Sequence, residues 1–465
     1  MTTYSITTTP QTVASASTSL QLFVNNGQAD IVLDLGGGRI EVLNPGGPGG
    51  VGASAVFVAT ASVSASTRAD TSSLDVSTLP ADSGLAGSGT VALDDLDPSV
   101  TGTYALRYDA QSLSRFRTAL AARNTSPVDM LHIGDSVTWG LKAGSHAAKW
   151  TSVLRDTLRT RYATSGVTGG FGHMSAVQNF GADTFSDISI TKTGGADGSA
   201  AFGIDQCGYN LDGSGDKITY TFTGTGADFF YAVYGGGGTF SVKVDGGTAT
   251  NINTNGTLNY TTRDQSIRGL TAGAHTVELA WVSGGTVFTH GLMAYNGDET
   301  KGIRSWNAAW PGSASFYWAD PAHPNWLGMV NHCNPALVTI ELGLNDCGTN
   351  IAPATYKAQV RTLITNIKAR ASSVPSFVLI PTWPITVTET AYWWDSYISA
   401  MREIAETDAD RAVCVDDWRA ITGSVPGTTL GGILSSDFGH PSVMGNKYLG
   451  QHLADFLAPA SLGIS

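Results

Sequence analysis

The chain has 465 residues, of which 42% are hydrophobic and only 14% charged, with a formal net charge of -12. At roughly 150 residues per domain there is room for about three domains. The acidic balance excludes a general grip on nucleic acid or on an anionic membrane surface, since both need a basic footprint.

The opening stretch, "MTTYSITTTPQTVASASTSLQLF", has neither a positive n-region nor a continuous apolar core, so it does not read as a signal peptide. No run of 18 apolar residues occurs anywhere. Residues 1–108 are rich in Thr, Ser, Ala, Gly and Val and lack lysine, and they carry β-like runs such as "ADIVLDL", "GRIEVL" and "SAVFVATASVSAS". They read as a small all-β domain, with "NPGGPGGVG" as a long turn inside it.

Near residue 109 the texture changes. Leu113, Phe116 and Leu120 recur at helical spacing, "VDMLHI" reads as a strand running into Gly134, Asp135 and Ser136, and a helix is expected over about His146 to Tyr162. From Gly169 to Asp298 the chain turns glycine-rich and strand-like. In "TFSVKVDGG", Phe240, Val242 and Val244 alternate with Ser241 and Lys243, and Val277, Leu279 and Trp281 repeat the pattern. A β-sandwich over 169–298, inserted into an α/β unit made of 109–168 and 299–465, accounts for this better than one enormous loop.

After Asp298 the α/β rhythm resumes. "GIRSWNAAWPG", "ALVTIELGLND", "SFVLIPTW" and "AVCVDD" read as strands, and helices are expected over about Ala354 to Arg370, Thr390 to Asp408 and Ser442 to Phe456. The last of these would bury Met444, Tyr448 and Phe456. Such alternation implies a mostly parallel sheet with helices on both faces.

A serine at the mouth of the strand "LHIGDSVTWG" is either a helix cap or a nucleophile presented at the C-terminal edge of a sheet. The second reading needs a base and an orienting acid. "DFGHP" offers both, because the Asp437 carboxylate can hold one ring nitrogen of His440 while the other takes a proton from Ser136.

Three blocks now line up with a known family. "GDSVTWG" (Gly134 to Gly140), "GLND" (Gly343 to Asp346) and "DFGHP" (Asp437 to Pro441) resemble the nucleophile, GxND and DxxH blocks of the SGNH/GDSL hydrolase superfamily, with Val137 where a literal GDSL has leucine. "NAAWPGSAS" (Asn307 to Ser315) is the counterpart of its glycine block. The resemblance covers about residues 126 to 165 and 300 to 460. It implies a three-layer α/β/α hydrolase of the esterase, lipase and deacetylase kind, with Ser136 as nucleophile, His440 as general base and Asp437 as its orienting acid. The oxyanion hole would comprise the Ser136 and Gly312 backbone N–H groups and the Asn345 amide.

Asp135 and Asp346 are read as supports of their loops and His132 as a packed residue, while His323 and His332 flank the linker to the Asn345 strand. No HxH, HExxH or carboxylate cluster suggests a metal, and no cofactor is implied. Of the four cysteines, Cys207, Cys333, Cys347 and Cys414, the pair Cys333 and Cys347 leaves one disulfide open. Trp139, Trp310 and Trp383, with Trp393 and Trp394, lie near strand ends and are either packed or line the cleft. Phe230, Tyr231, Tyr234 and Trp281 of the insertion are either core or carbohydrate-binding.

The substrate expected is an acylated polysaccharide or glycolipid of a cell envelope, most simply an O-acetyl ester. Residues 1–108 are similar in texture to N-terminal parts of tail proteins from phages of Actinobacteria, which would place the esterase on a virion tail, beside other tail proteins. A lipase, a free bacterial enzyme, and a non-catalytic structural or receptor-binding tail protein are the alternatives.

Overall fold

The computed structural model describes residues 110–177, 185–198, 202–257, 261–320, 324–382, 391–417, 432–437 and 439–458, and within residues 1–108 the backbone of eight strands. The chain divides into two compact units, Met1–Tyr108 and Asp109–Ser465. In the first, the eight strands form two four-stranded antiparallel sheets. One runs Thr2–Ile6, Ser72–Thr78, Leu20–Asn25, Ser54–Val58, and the other Gln11–Ala14, Val63–Thr67, Ile31–Asp34, Ile40–Leu43. The segment "NPGGPGGVG" lies outside the described residues.

The second unit is built on five parallel strands: β1 (Pro127–Gly134), β2 (Gly302–Ala309), β3 (Leu337–Glu341), β4 (Ser376–Leu379) and β5 (Val413–Val415). They lie in the order β2-β1-β3-β4-β5. β3, β4 and β5 are buried along their whole length, as near-continuous apolar runs in a covered parallel sheet must be.

Helix α1 (Ala110–Ala121) packs on β1, β4 and β5 through the expected stripe of Leu113, Phe116 and Leu120. α2 (Ser136–Trp139) follows β1 directly, and α3 (Trp150–Arg161) packs on β2. α4 (Ser315–Ala319), α5 (Leu327–Cys333), α6 (Leu344–Gly348), α7 (Pro353–Arg370) and α8 (Trp394–Glu406) follow, with α4, α5 and α8 all packed on α7.

The closing helix, α9 (Val443–Leu457), departs from expectation in the face it buries. Met444 is exposed and Tyr448 and Phe456 are only half-buried, while Gly445, Asn446, Leu449, Gly450, Leu453, Ala454 and Leu457 face inward. Contact with α3 sets this face. A Cβ at Gly450 would lie 2.6 Å from the Trp150 carbonyl and 2.7 Å from Val153 Cβ, so the glycine lets the two helices touch.

Between α3 and β2 the chain forms two antiparallel sheets around one apolar core. The first orders Ala196–Gly198, Gly208–Leu211, Val287–Gly297, Gly226–Val233 and Thr261–Ile267, with Val167–Met174 also paired to Val287–Gly297. The second orders Ser189–Thr193, Lys217–Gly224, Gly273–Gly284, Gly238–Val244 and Thr250–Asn253. Tyr220, Phe240, Val277 and Leu279 from the second sheet meet Tyr209, Phe229 and Leu292 from the first. Strand Val167–Met174 packs on β2, and Arg159 donates to the carbonyls of both Gly170 and Ile303, so the first of these sheets is anchored along the edge strand of the parallel sheet. All four cysteines are buried and free, so the Cys333–Cys347 bridge is not formed. Each thiol is enclosed where it stands, Cys333 in α5 and Cys347 in α6.

Candidate active site

The order of the sheet places the site. From β1 the chain goes to β2 on one side, then crosses to β3 on the other, so the ends of β1 and β3 flank the point where the winding reverses. Ligands of open parallel sheets bind at such a point.

At the end of β1, Asp135 rather than Ser136 caps the next helix, its Oδ1 accepting from the Val137 N–H at 2.9 Å. That leaves the serine hydroxyl, only 6% exposed, available to another partner. Ser136 Oγ lies 2.8 Å from His440 Nε2. Gly134 is required before this turn, because a Cβ there would run into the Thr138 side chain and stand 2.9 Å from the Glu341 carbonyl.

His440 arrives on the loop ahead of α9, and its Nδ1 lies 2.8 Å from Asp437 Oδ2. The other carboxylate oxygen accepts from Ser435 Oγ at 2.6 Å and from the Gly439 and His440 amides at 3.0 Å each. Burial alone would raise the Asp437 pKa, but these donors and the imidazole outweigh it and hold the carboxyl well below the usual carboxylate range. A hydroxyl, an imidazole and a fixed carboxylate in one chain can generate an alkoxide nucleophile at neutral pH.

Asn345 enters from α6, after Gly343 turns with φ +120°. Its Nδ2 donates at 3.0 Å both to Asp135 Oδ2 and to the Ser313 carbonyl. The loop after β2 closes over the end of β1: the Trp310 N–H and Ser313 Oγ both reach the Gly134 carbonyl, each at 3.1 Å. Gly312 lies in this loop with φ +83°, and among the described residues its N–H makes no hydrogen bond. Asp346 holds the same loop from below, accepting from the Ser315 N–H and hydroxyl. The structure thus gathers Ser136, His440, Asp437 and Asn345 at one place, with the Gly312 loop beside them.

The tryptophans behave differently. Trp139 is 3% exposed and packs on Phe185, Leu141 and Ala309, so it is core and not cleft wall. Its position in α2, one turn behind the serine, points it under the site. Trp310 is half-buried at the start of the Gly312 loop, and Trp383 lies outside the described residues. Trp394 is buried and donates to the Thr382 carbonyl, whereas its neighbour Trp393 is 77% exposed.

In the insertion Phe230 and Tyr231 are buried, Tyr234 donates to the Thr286 carbonyl beside Phe288, and Trp281 packs against the sandwich core. Tyr231 and Trp281 belong to the core between the sheets, whereas Phe230 packs on Trp306 of β2 and His332 of α5. His132 is fully buried against Thr339 and Trp150, His332 pairs with Asp264, and His323 lies outside the described residues. Among the described residues no cluster of three or more His, Cys, Asp or Glu side chains could hold a metal, and no helix is long and apolar enough to cross a membrane.

One supporting residue is not evident from the sequence motifs. Glu341, at the end of β3, accepts from Thr138 Oγ1 at 2.9 Å and hydrogen-bonds Asp135, entirely out of solvent. Its only signal is a charged residue inside the apolar run "ALVTIELG".

Residues 270–448 match the model of the GDSL-like lipase/acylhydrolase family. The chain carries a GDSL-like acylhydrolase domain. The matched span includes Gly312, Asn345, Asp437 and His440, and Ser136 joins them through the fold, from ahead of the two antiparallel sheets. With this domain the chain is an ester hydrolase.

No curated protein sequence matches the chain. Among solved structures, a peptidoglycan O-acetylesterase is 16% identical with a TM-score of 0.55, over 75% of this chain and 95% of that one, a likeness of fold. A family two carbohydrate esterase from Clostridium thermocellum is 18% identical over 57% of this chain and 97% of that one, with a TM-score of 0.28.

Proposed function

We propose that the acylhydrolase domain removes O-acyl groups, acetyl above all, from cell-envelope glycans, with Ser136 as nucleophile. The observation that carries the catalytic assignment is the relay Ser136 Oγ to His440 Nε2 and His440 Nδ1 to Asp437, both links 2.8 Å long. His440 takes the Ser136 proton as Oγ attacks the ester carbonyl, and the tetrahedral oxyanion is met by the Ser136 and Gly312 N–H groups and by the Asn345 amide hydrogen that, before substrate binds, rests on the Ser313 carbonyl. The intermediate collapses to acyl-Ser136 as His440 returns the proton to the departing sugar hydroxyl. Water, deprotonated by the same imidazole, then releases the carboxylic acid and restores the serine.

Support for the substrate class comes from the fold shared with a peptidoglycan O-acetylesterase and from two β-rich regions attached to the hydrolase core. The 169–298 segment, on this reading, is an inserted sandwich that buttresses β2. The small-residue texture of residues 1–108 supports carriage on a phage tail, for which detection of the chain in purified virions is the test.

The enzymatic assignment is tested with short p-nitrophenyl esters and a serine-reactive phosphonate. The wild type is expected to turn over acetate esters and to be labelled at Ser136, and Ser136→Ala to do neither. Equal turnover by both proteins would overturn it.

A further inference from the structure

We propose that Glu341 is a positioning residue of this esterase: carried as the neutral acid, it donates its proton to Asp135 and so holds that carboxylate in place as the anchor of the Asn345 amide. The inference rests on the roles of Ser136 and Asn345 proposed above.

Two parallel-strand ends meet here. Glu341 stands opposite Gly134 in the β1–β3 register, so the carboxyls of the residues ending β3 and following β1 are forced together. Both residues are buried, Asp135 at 0% and Glu341 at 1% exposure. Both carboxylate oxygens of Asp135 are engaged, Oδ1 accepting from the Val137 N–H at 2.9 Å and Oδ2 from Asn345 Nδ2 at 3.0 Å, and the carboxylate also bonds the Glu341 side chain. Glu341 in turn accepts from Thr138 Oγ1 at 2.9 Å and from the Asp135 backbone N–H.

Two carboxyls can hydrogen-bond each other only if one carries a proton. The donors decide which. Asp135 accepts an amide N–H on each oxygen, which suits an anion, whereas Glu341 accepts the Thr138 hydroxyl and the Asp135 backbone N–H and, as the neutral acid, still has one proton to donate to Asp135. Burial first, and then the Asp135 charge, push the Glu341 pKa well above its ordinary value, and burial lifts Asp135 to about 6. The other groups that bear on the pair are His440, which favours ionised Asp135, Asp346, which opposes it, and the Tyr356 hydroxyl near Glu341. With burial as the largest influence on both carboxyls, the shared proton is what makes the pair tolerable.

The functional consequence is an indirect one. Asn345 has two N–H bonds, one on Asp135 and one on Ser313. The Asp135 bond fixes the plane of the amide, and the other hydrogen then faces the side from which the Gly312 loop approaches. Removing Glu341 leaves Asp135 without its second-carboxyl partner and lets the amide turn.

The test compares Glu341→Gln with Glu341→Ala. Glutamine reproduces the neutral acid, offering a carbonyl to Thr138 and an N–H to Asp135, and is expected to keep kcat on p-nitrophenyl acetate within threefold. Alanine is expected to lower kcat tenfold or more with KM within twofold. Infrared spectra at pH 7 supply a readout free of activity and of tolerance to alanine: a protonated-carboxyl band present in the wild type should vanish in Glu341→Gln. Unchanged kcat in Glu341→Ala, equal losses in both variants, or no band lost in Glu341→Gln would each overturn the proposal. A wild type no faster than Ser136→Ala would instead overturn the catalytic reading, with the infrared result still deciding where the proton sits.

Discussion

Replacing Asp437 by asparagine is the most discriminating perturbation of the relay, because the loop dictates how the new side chain must lie. One carboxylate oxygen accepts from Ser435 Oγ and from the amides of Gly439 and His440. Two of those donors are backbone N–H groups that cannot become acceptors, so the asparagine carbonyl must take that place and its NH2 must face His440 Nδ1. Nδ1 then has to accept, the ring proton moves to Nε2, and Nε2 loses the lone pair that receives the Ser136 proton at 2.8 Å. The imidazole is in position and in the wrong tautomer. A defect of this type costs about 10⁴ in kcat in the serine-protease case, or about 5.5 kcal/mol at 1.36 kcal/mol per decade. Here a loss of roughly 10³ to 10⁴ is expected, with KM on p-nitrophenyl acetate changed less than threefold and the thermal unfolding midpoint nearly unchanged. Retention of a tenth or more of wild-type kcat would refute the reasoning, since it would mean that His440 works without direction from Asp437.

Asn345→Ala removes one oxyanion donor and should cost about 10² to 10³ in kcat, measured on the same ester. Wild-type kcat would remove the amide from the oxyanion hole. His132 gives a pH-dependent prediction of stability. Burial first, then the charges of Lys149 and Arg155, lower its pKa to about 3, so the folded protein keeps it neutral while the unfolded chain protonates it below about 6.5. Its contribution therefore declines as pH falls from about 6.5 towards 3, by about 2 kcal/mol between pH 7 and 5. His132→Gln, which can keep a hydrogen bond to Thr339, should lose less stability over that interval than the wild type in urea titrations, and a parallel decline in both would contradict the assignment.

The blocks of the candidate site are legible in the sequence because they hold residues whose chemistry core packing does not use, Gly134 to Ser136 and Gly343 to Asp346 just after strand ends and Asp437 with His440 on the loop ahead of α9. Period-2 alternation likewise reveals the strands that carry Phe240, Val242, Val277 and Leu279, since each of these side chains is buried. The features that sequence pattern misplaces share a cause, namely that contact partners outrank composition. Met444, Tyr448 and Phe456 look like the buried face of α9, but close approach to α3 selects Gly450, and close approach to the Ile433 carbonyl selects Gly445, instead. Trp139 and Phe230 could as well have formed a binding surface, and only their contacts, with Phe185 and with Trp306, show that they are packed. Glu341 is hidden because its partner, Asp135, is distant in sequence and adjacent only through the strand register.

On the proposed function, Ser136 cleaves acetyl esters of envelope glycans. Its most direct test is to treat purified envelope fractions with the wild type and with Ser136→Ala and to identify the released acids by mass spectrometry. Acetate released by the wild type alone is the predicted result. Release of long-chain fatty acids in its place would contradict the acetyl-glycan assignment, and equal acetate from the two proteins would contradict the role of Ser136.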